Sequence, residues 1–369
     1  MNPPSLRMRR RPLLQGAAAA VALAVGGRVR AQEVLWPEPL RLFIPFAAGG
    51  RSSFFARTLA SALGGPVRID NSDGDPMEAI RRFARGAPDG GELLLAGLRL
   101  PRAGLDQESA TELLRRAFGN ERVDSASGQV VLAQLATRMG RRNDENTLLT
   151  QLVPITTVAR DPWVLVMNPA RADALRIHDT PGLLRYLRAH PGRLSMATGN
   201  GSSIGTFASE LFKSLTQTYF IRLSMPGLTP DIDMVADGRA DLLFAPLNAS
   251  RHDIRAGLLR ALGTTARADD GPAGTDLLGL DRPLAPIQQA EPALTHFAAY
   301  SIYSLLAPPG TPPDVALRLQ RACTQALALP AVRQTFARNN AIPGGETAAQ
   351  FQQLEDDEGL RQVLAAARW

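Results

Sequence analysis

The sequence predicts a two-domain α/β protein with mainly parallel sheets. Three observations carry that prediction. Short apolar strands alternate with amphipathic helical segments along most of the 369 residues. The length beyond the N-terminal segment suits two domains of about 150 residues each. A strand, a glycine-rich turn and a helix follow one another twice, about 150 residues apart, which places one such unit in each domain.

The elements follow from local signals. Strands are expected at Arg41 to Phe46, Val67 to Asp70, Glu92 to Ala96, Trp163 to Met167, Leu194 to Ala197, Asp241 to Phe244, Arg260 to Thr264 and Ser301 to Leu306. A helix is expected over Phe54 to Ala60 and another over Ile204 to Leu215. Thr180 as N-cap with Pro181 at the first helical position opens a helix whose Leu183, Leu184 and Leu187 share one face, and His190-Pro191-Gly192 stops it. Pro313 to Leu329 is a further helix after the turn-rich Ala307 to Pro312, and Thr347 to Gln350 reads as a capping box for a C-terminal helix. Between Arg99 and Gln151 the chain is polar, arginine-rich and weakly periodic, and no element is predicted there.

Composition narrows the function classes. With 45% hydrophobic and 21% charged residues the chain is globular, neither disordered nor collagen-like. Its net charge of +6 has one source: six arginines (Arg7, Arg9, Arg10, Arg11, Arg28, Arg30) and no acid lie in residues 1–31. Removing those six from the 41 basic residues leaves 35 against 35 acidic ones, so nucleic-acid binding is not expected.

Residues 1–31 have the layout of an export signal: a cationic head to Arg11, an apolar run from Leu13 to Val25, and small residues before a cleavage point between Ala31 and Gln32. The apolar run spans about 20 Å as a helix, short of the roughly 30 Å hydrocarbon core of a membrane. Arg10-Arg11-Pro12-Leu13-Leu14-Gln15 also fits a twin-arginine signal, so general secretory and twin-arginine export both remain open. The expected location is the periplasm, with the cleaved protein a monomer free of the membrane. Cys323, the single cysteine, falls in the apolar stripe of its helix and is expected in the core. The four histidines (His178, His190, His252, His296) show no i, i+3 or i+4 pairing, so neither metal nor other cofactor is expected.

The two glycine turns carry the chemistry. Ala48, Gly49, Gly50, Arg51, Ser52 and Ser53 join the first strand to the first helix, and Gly199, Asn200, Gly201, Ser202 and Ser203 do the same in the second unit. Unpaired N–H groups and the positive dipole end at each helix start attract an anion, by about 0.3 to 1 kcal/mol each at an exposed site. Arg51 adds a cation with two parallel donors suited to a carboxylate. An enzyme alternative exists: Gly201-Ser202-Ser203-Ile204-Gly205 matches the nucleophile-elbow pattern, with Asp241 and His296 completing a hydrolase order around Ser203. Against it, about five residues separate the strand from that serine, where an elbow has none.

From Trp36 onward the chain resembles the Bug family, the substrate-binding receptors of tripartite tricarboxylate transporters. The likeness rests on Trp36 to Gly50 (WPEPLRLFIPFAAGG), Ala87-Pro88-Asp89-Gly90, Gly199 to Ser202, Ala208 to Leu215, Ile254 to Leu262 and Leu306 to Pro312. The resemblance implies a type II periplasmic-binding-protein fold: two α/β lobes joined by two crossing strands, residues 32–163 with 302–369 forming one lobe and 164–301 the other. It implies a small carboxylate held between the glycine turns, and membrane subunits of a tripartite tricarboxylate transporter, or a sensor, as partners. Tyr303 matches the crossing strand at the cleft. The departures concern the ligand. Ser53 stands where the family usually has an acid, Thr206 where a histidine is common, and Ala245 where Asp or Asn is frequent. Loss of the acid with gain of Arg51 favours a more anionic ligand over an amino acid. A receptor-like module that binds a protein partner in place of a small ligand is the remaining alternative.

Overall fold

The computed structural model describes Pro37, residues 39–97, Arg115, Leu148, and residues 151–198, 204–224, 230–270, 283–295 and 297–346, with Gln350 and Gln353. The export segment with Ala31 and Gln32, the turn Gly199 to Ser203, His296, and Thr347 to Ala349 of the capping box lie outside the described residues, as does most of the 99–151 segment.

Two groups of parallel strands are fused through a long antiparallel pair. In the first, β1 (Leu40–Ile44) lies between β2 (Val67–Asn71) and β3 (Glu92–Ala96), all parallel. In the second, β5 (Ser195–Thr198) lies between β6 (Ile221–Ser224) and β7 (Leu242–Pro246), again parallel. β4 (Val153–Met167) and β9 (Tyr300–Ala307) join them, giving the order β2-β1-β3-β9-β4-β7-β5-β6, while β8 (Arg260–Thr264) and β10 (Ile342–Pro343) also pair with β4. Helices α1 (Arg51–Leu63) and α2 (Pro76–Phe83) connect the first group. Helices α3 (Pro169–Leu175), α4 (Thr180–Ala189), α5 (Ile204–Thr216), α6 (Pro230–Ala236) and α7 (Leu247–Arg255) serve the second, and α8 (Pro313–Ala328) and α9 (Pro330–Arg338) follow β9.

β4 is the main difference from the sequence expectation, which began it at Trp163. It has 15 residues, pairing with β9 as far as Pro162 and with β7 and β8 beyond. Pro154, Pro162 and the charged pair Arg160-Asp161 read locally as breakers. The strand tolerates them because the β4–β9 register shifts beside Pro154, and because Pro162 stands where β4 changes partners. A second difference is one residue in size. Asp179, not Thr180, caps α4, accepting from Gly182 N–H at 2.7 Å, and the Thr180 hydroxyl instead donates to Leu262 O at 3.1 Å. The sequence also missed β6, whose Ile221 is exposed at the sheet edge, and the two-residue β10.

Within the second group β5 and β7 are buried on both faces, as inner strands of a parallel sheet are. Along β7, Leu242 and Phe244 enter one apolar cluster with Leu187, Phe212 and Phe297, while Leu243 and Ala245 enter another with Val164, Met234, Val235 and Ile254. Burying a side chain such as Phe244 contributes about 1.5–3 kcal/mol. In the first group Phe43, Ile80, Phe83, Leu94 and Leu306 form the matching layer under α2. Cys323 lies fully buried in α8, and burial pushes its thiol up to about 12. A thiol reagent at pH 8 is therefore expected to leave native protein unlabelled and to label it at the unfolding transition; rapid labelling of the native state would contradict this packing.

Candidate functional site

β1 delivers the chain to the amino end of α1. After buried Pro45 and half-buried Phe46, residues Ala47 to Gly50 form an exposed turn. Gly49 has φ +93°, a conformation that strains any side chain, and nothing lies within 4 Å of where its Cβ would be. Gly50 is the N-cap, extended at φ −76° and ψ −176°, and its carbonyl accepts the first helical bond from Phe54 N–H at 3.2 Å. No side chain caps this helix and its first turn has no acid. The N–H groups of the first turn thus have no intrahelical acceptor, and the dipole end faces an open turn.

The side chains of that turn are anchors. Ser53 is buried, and its Oγ accepts from Asn71 Nδ2 at 3.0 Å, which also donates to Phe46 O at 3.0 Å. Ser52 is buried as well. Arg51 departs from its expected part as a free cation for a ligand. Its Nε and Nη2 donate to the two oxygens of Asp161 at 2.5 and 2.8 Å, and Nη2 also donates to Asn339 O at 2.6 Å. The guanidinium lies 4.8 Å from the Phe55 ring centroid and 5.2 Å from that of Phe54. The Arg51 side chain is 17% exposed and that of Asp161 4%, so the charge is neutralised within the protein. Of the two grounds for a more anionic ligand over an amino acid, the gain of Arg51 is offset by Asp161, while the absence of an acid at Ser53 stands.

Sequence reasoning missed Asp161. It sits on β4 opposite Ser301 of β9, 110 residues from its partner, and its only local signal is a charge within a strand that is otherwise mostly apolar. Burial holds its carboxyl above the ordinary aspartate value, although the hydrogen bonds and charge of Arg51 pull it back. Tyr303 lies on β9 against the same cluster, its ring 4.7 Å from that of Phe55. Gly97 makes room for it, since a Cβ there would stand 2.8 Å from Tyr303 Cε1. Burial, reinforced by the Asp161 charge, raises the phenol above its usual value. Asn340, with φ +57°, accepts from Arg251 Nη1 of α7 at 3.2 Å, so guanidinium groups from both strand groups reach the Asn339-Asn340 turn.

In the second group, Thr206 is buried in the first turn of α5, and Ala245 is wholly buried with its methyl in the apolar layer among Val164, Met234 and Leu247. The turn Gly199, Asn200, Gly201, Ser202, Ser203 lies outside the described residues. For the hydrolase alternative, Asp241 is at the wrong end of the sheet. It stands beside Ser195 at the start of β5, accepting from Ser195 N–H at 2.8 Å, Ser195 Oγ at 2.9 Å and Arg171 Nε at 3.1 Å, whereas the chain leaves toward Ser203 from the opposite end, after Thr198. Among the described residues no group of three or more His, Cys, Asp or Glu gathers as a metal site, and no helix is long and apolar enough to cross a membrane.

Comparison with known proteins matches this arrangement to one family. The model of the tripartite tricarboxylate transporter family receptor matches residues 145–364, more than half of the chain. Protein BugT of Bordetella pertussis is 26% identical over 314 residues, covering 83% of this chain and 81% of that protein. A protein of Pseudomonas sp. strain P51 encoded in the tcbD-tcbE intergenic region is 26% identical over 332 residues, covering 88% of this chain and 83% of its own. Among solved structures, a Rhodopseudomonas palustris protein with adipate superposes with a TM-score of 0.58 at 21% identity, covering 90% of this chain and 99% of that one. A ligand-free TctC solute-binding protein from Polaromonas gives 0.58 at 14% identity, over 88% and 96%. The expected α/β periplasmic-binding fold is therefore the observed one, reached at low identity. The chain belongs to the tripartite tricarboxylate transporter receptor family, whose Bug proteins are among its relatives.

Proposed function

We propose that the protein is exported to the periplasm and captures a small carboxylate-bearing metabolite, presenting it to membrane subunits of a tripartite tricarboxylate transporter or to a sensor. The supporting observation is the uncapped amino end of α1, set at the carboxyl end of β1 behind Gly49 and Gly50, with no acid in its first turn. One ligand carboxylate accepts from those N–H groups, and the turn after β5 holds the other end. The division into lobes at 163/164 and 301/302, with β4 and β9 as the crossing strands, belongs to the same proposal. Adipate and malate are bound in two Rhodopseudomonas palustris structures of this fold, which makes dicarboxylates the first compounds to try.

A thermal-shift screen of four- to six-carbon carboxylic acids tests the reading, because a ligand at 100 times its dissociation constant stabilises by about 2.7 kcal/mol. No shift with any acid would defeat it and would favour a protein-binding module, a reading to which the internal neutralisation of Arg51 by Asp161 lends weight. Gly50→Asp sharpens the test. The backbone angles suit aspartate, and the Cβ meets nothing closer than Ala47 O at 4.0 Å. The new carboxylate would cap the helix and occupy its dipole end, so the unliganded melting temperature should stay level or rise slightly while carboxylate affinity falls at least tenfold by calorimetry.

A further inference from the structure

Asp231 is a buried carboxylate without a partner among the described residues. Its relative exposure is 6%, Oδ1 is shielded from solvent with no hydrogen bond, and no ion pair reaches it among the described residues. It lies in the first turn of α6 and shares a helix face with Met234 and Val235, three and four residues on, which pack into the apolar layer with Ala197 and Ala245. Asp233, on the same turn, is exposed and faces water. Burial raises the Asp231 carboxyl above the ordinary value, with no opposing interaction.

Position gives this group a use. α6 follows β6 and leads back to β7, so its first turn stands at the carboxyl edge of the parallel strands β5, β6 and β7. Thr198 Oγ1 at the end of β5, on the same edge, is a second buried polar atom without a partner among the described residues. Thr198 alternates with Ala197 and so belongs to the face of Met196, opposite the layer that carries Asp231. The two atoms flank the edge from both sides, where α/β sheets take their ligands. A buried carboxylate without a donor is costly, and a buried hydroxyl without a partner adds to that cost.

We propose that Asp231 accepts a hydrogen bond from an ammonium or hydroxyl group on the bound carboxylic acid, so that amino or hydroxy acids are selected over unsubstituted dicarboxylates. This rests on the carboxylate-receptor reading above and assigns the specificity of that site. Calorimetry compares succinate, malate and aspartate, and the five-carbon set glutarate, 2-hydroxyglutarate and glutamate, on wild type and Asp231→Ala. At least one substituted acid should bind wild type tenfold or more tightly than its unsubstituted counterpart, and Asp231→Ala should abolish that preference while keeping affinity for the plain diacid. The unliganded melting temperature of Asp231→Ala should equal or exceed that of wild type, since an uncompensated charge is removed; a residue with only a structural role would lower it. Equal binding of plain and substituted acids by wild type, a preference that survives in Asp231→Ala, or a lowered unliganded melting temperature overturns the proposal. If the plain diacids bind and only the preference is missing, this inference alone falls; if no acid binds, the receptor reading falls with it.

Discussion

Arg51→Met should destabilise the protein by about 3–5 kcal/mol at pH 8, the range expected when one partner of a buried ion pair is removed. The loss comes chiefly from what remains: Asp161, 4% exposed, keeps its charge without the two donors that hold it. A free Asn339 carbonyl and lost contact with the Phe54 and Phe55 rings add to the cost. The pH dependence is the distinguishing mark. In the wild type the folded-state value of Asp161 lies above its unfolded one because burial outweighs Arg51. Between those two values the native state binds more protons, so stability falls as pH rises through the folded value and levels off below the unfolded one. Without Arg51 both opposing causes vanish and the window widens upward, so the deficit of Arg51→Met should shrink markedly between pH 8 and pH 5. Pairing Arg51→Met with Asp161→Leu should recover most of the loss at pH 8, because two apolar side chains replace a desolvated pair. Urea unfolding of the wild type, Arg51→Met and the double variant at both pH values measures this; a deficit independent of pH, or a double variant no better than Arg51→Met, would show that the pair does not act as described.

That pair also marks where the sequence stops being informative. β3 and β8 appear at the residues predicted, and α5 and α8 within one residue, because each is announced by its own composition: a short apolar run for a strand, a 3.6-residue stripe for a helix. The glycine turn ahead of α1 is equally local, since Gly49 at positive φ and a hydroxyl-rich helix start leave a mark within six residues. Asp161 had no such mark. Its partner lies 110 residues away, and only the register of β4 against β9 brings it beneath α1. For the same reason the sequence did not show that Ser53, read as a ligand-binding turn residue where the family usually has an acid, is tied to Asn71 of β2, or that Ala245, read as a cleft position, faces the layer under α6 and α7. Side-chain direction at a strand end depends on the parity of the register, and one residue of uncertainty reverses the face. Asp231 illustrates the converse. Its sequence context is that of an ordinary acid in a helix first turn, matched by Asp233 two residues on, and only burial separates them.

Gly344→Ala should cost about 3 kcal/mol or more, although its neighbour Gly345 has the more unusual backbone. A Cβ at Gly344 would overlap the Thr157 carbonyl, a main-chain group of β4 that no side-chain rotation can move. Gly344 N–H donates to Val158 O at 2.9 Å and Gly345 N–H to Thr157 O at 2.8 Å, so relieving the overlap would pull both bonds apart. Overpacking of this kind costs about 1–3 kcal/mol, and each lost bond adds roughly 0.5–1.5. β10 would be displaced from Arg160 and Ala159, the stretch of β4 that leads into Asp161, so ligand affinity should fall together with stability. Gly310→Ala is the control. Gly310 has φ +81° with nothing within 4 Å of its Cβ position, so the substitution there isolates backbone strain, about 1–2 kcal/mol, and leaves β4 untouched. Denaturant titration of the two variants separates the causes: a Gly344→Ala loss no greater than that of Gly310→Ala would count against the overlap with Thr157, whereas the close approach of β10 to β4 requires Gly344→Ala to lose more than Gly310→Ala and to weaken ligand binding where Gly310→Ala does not.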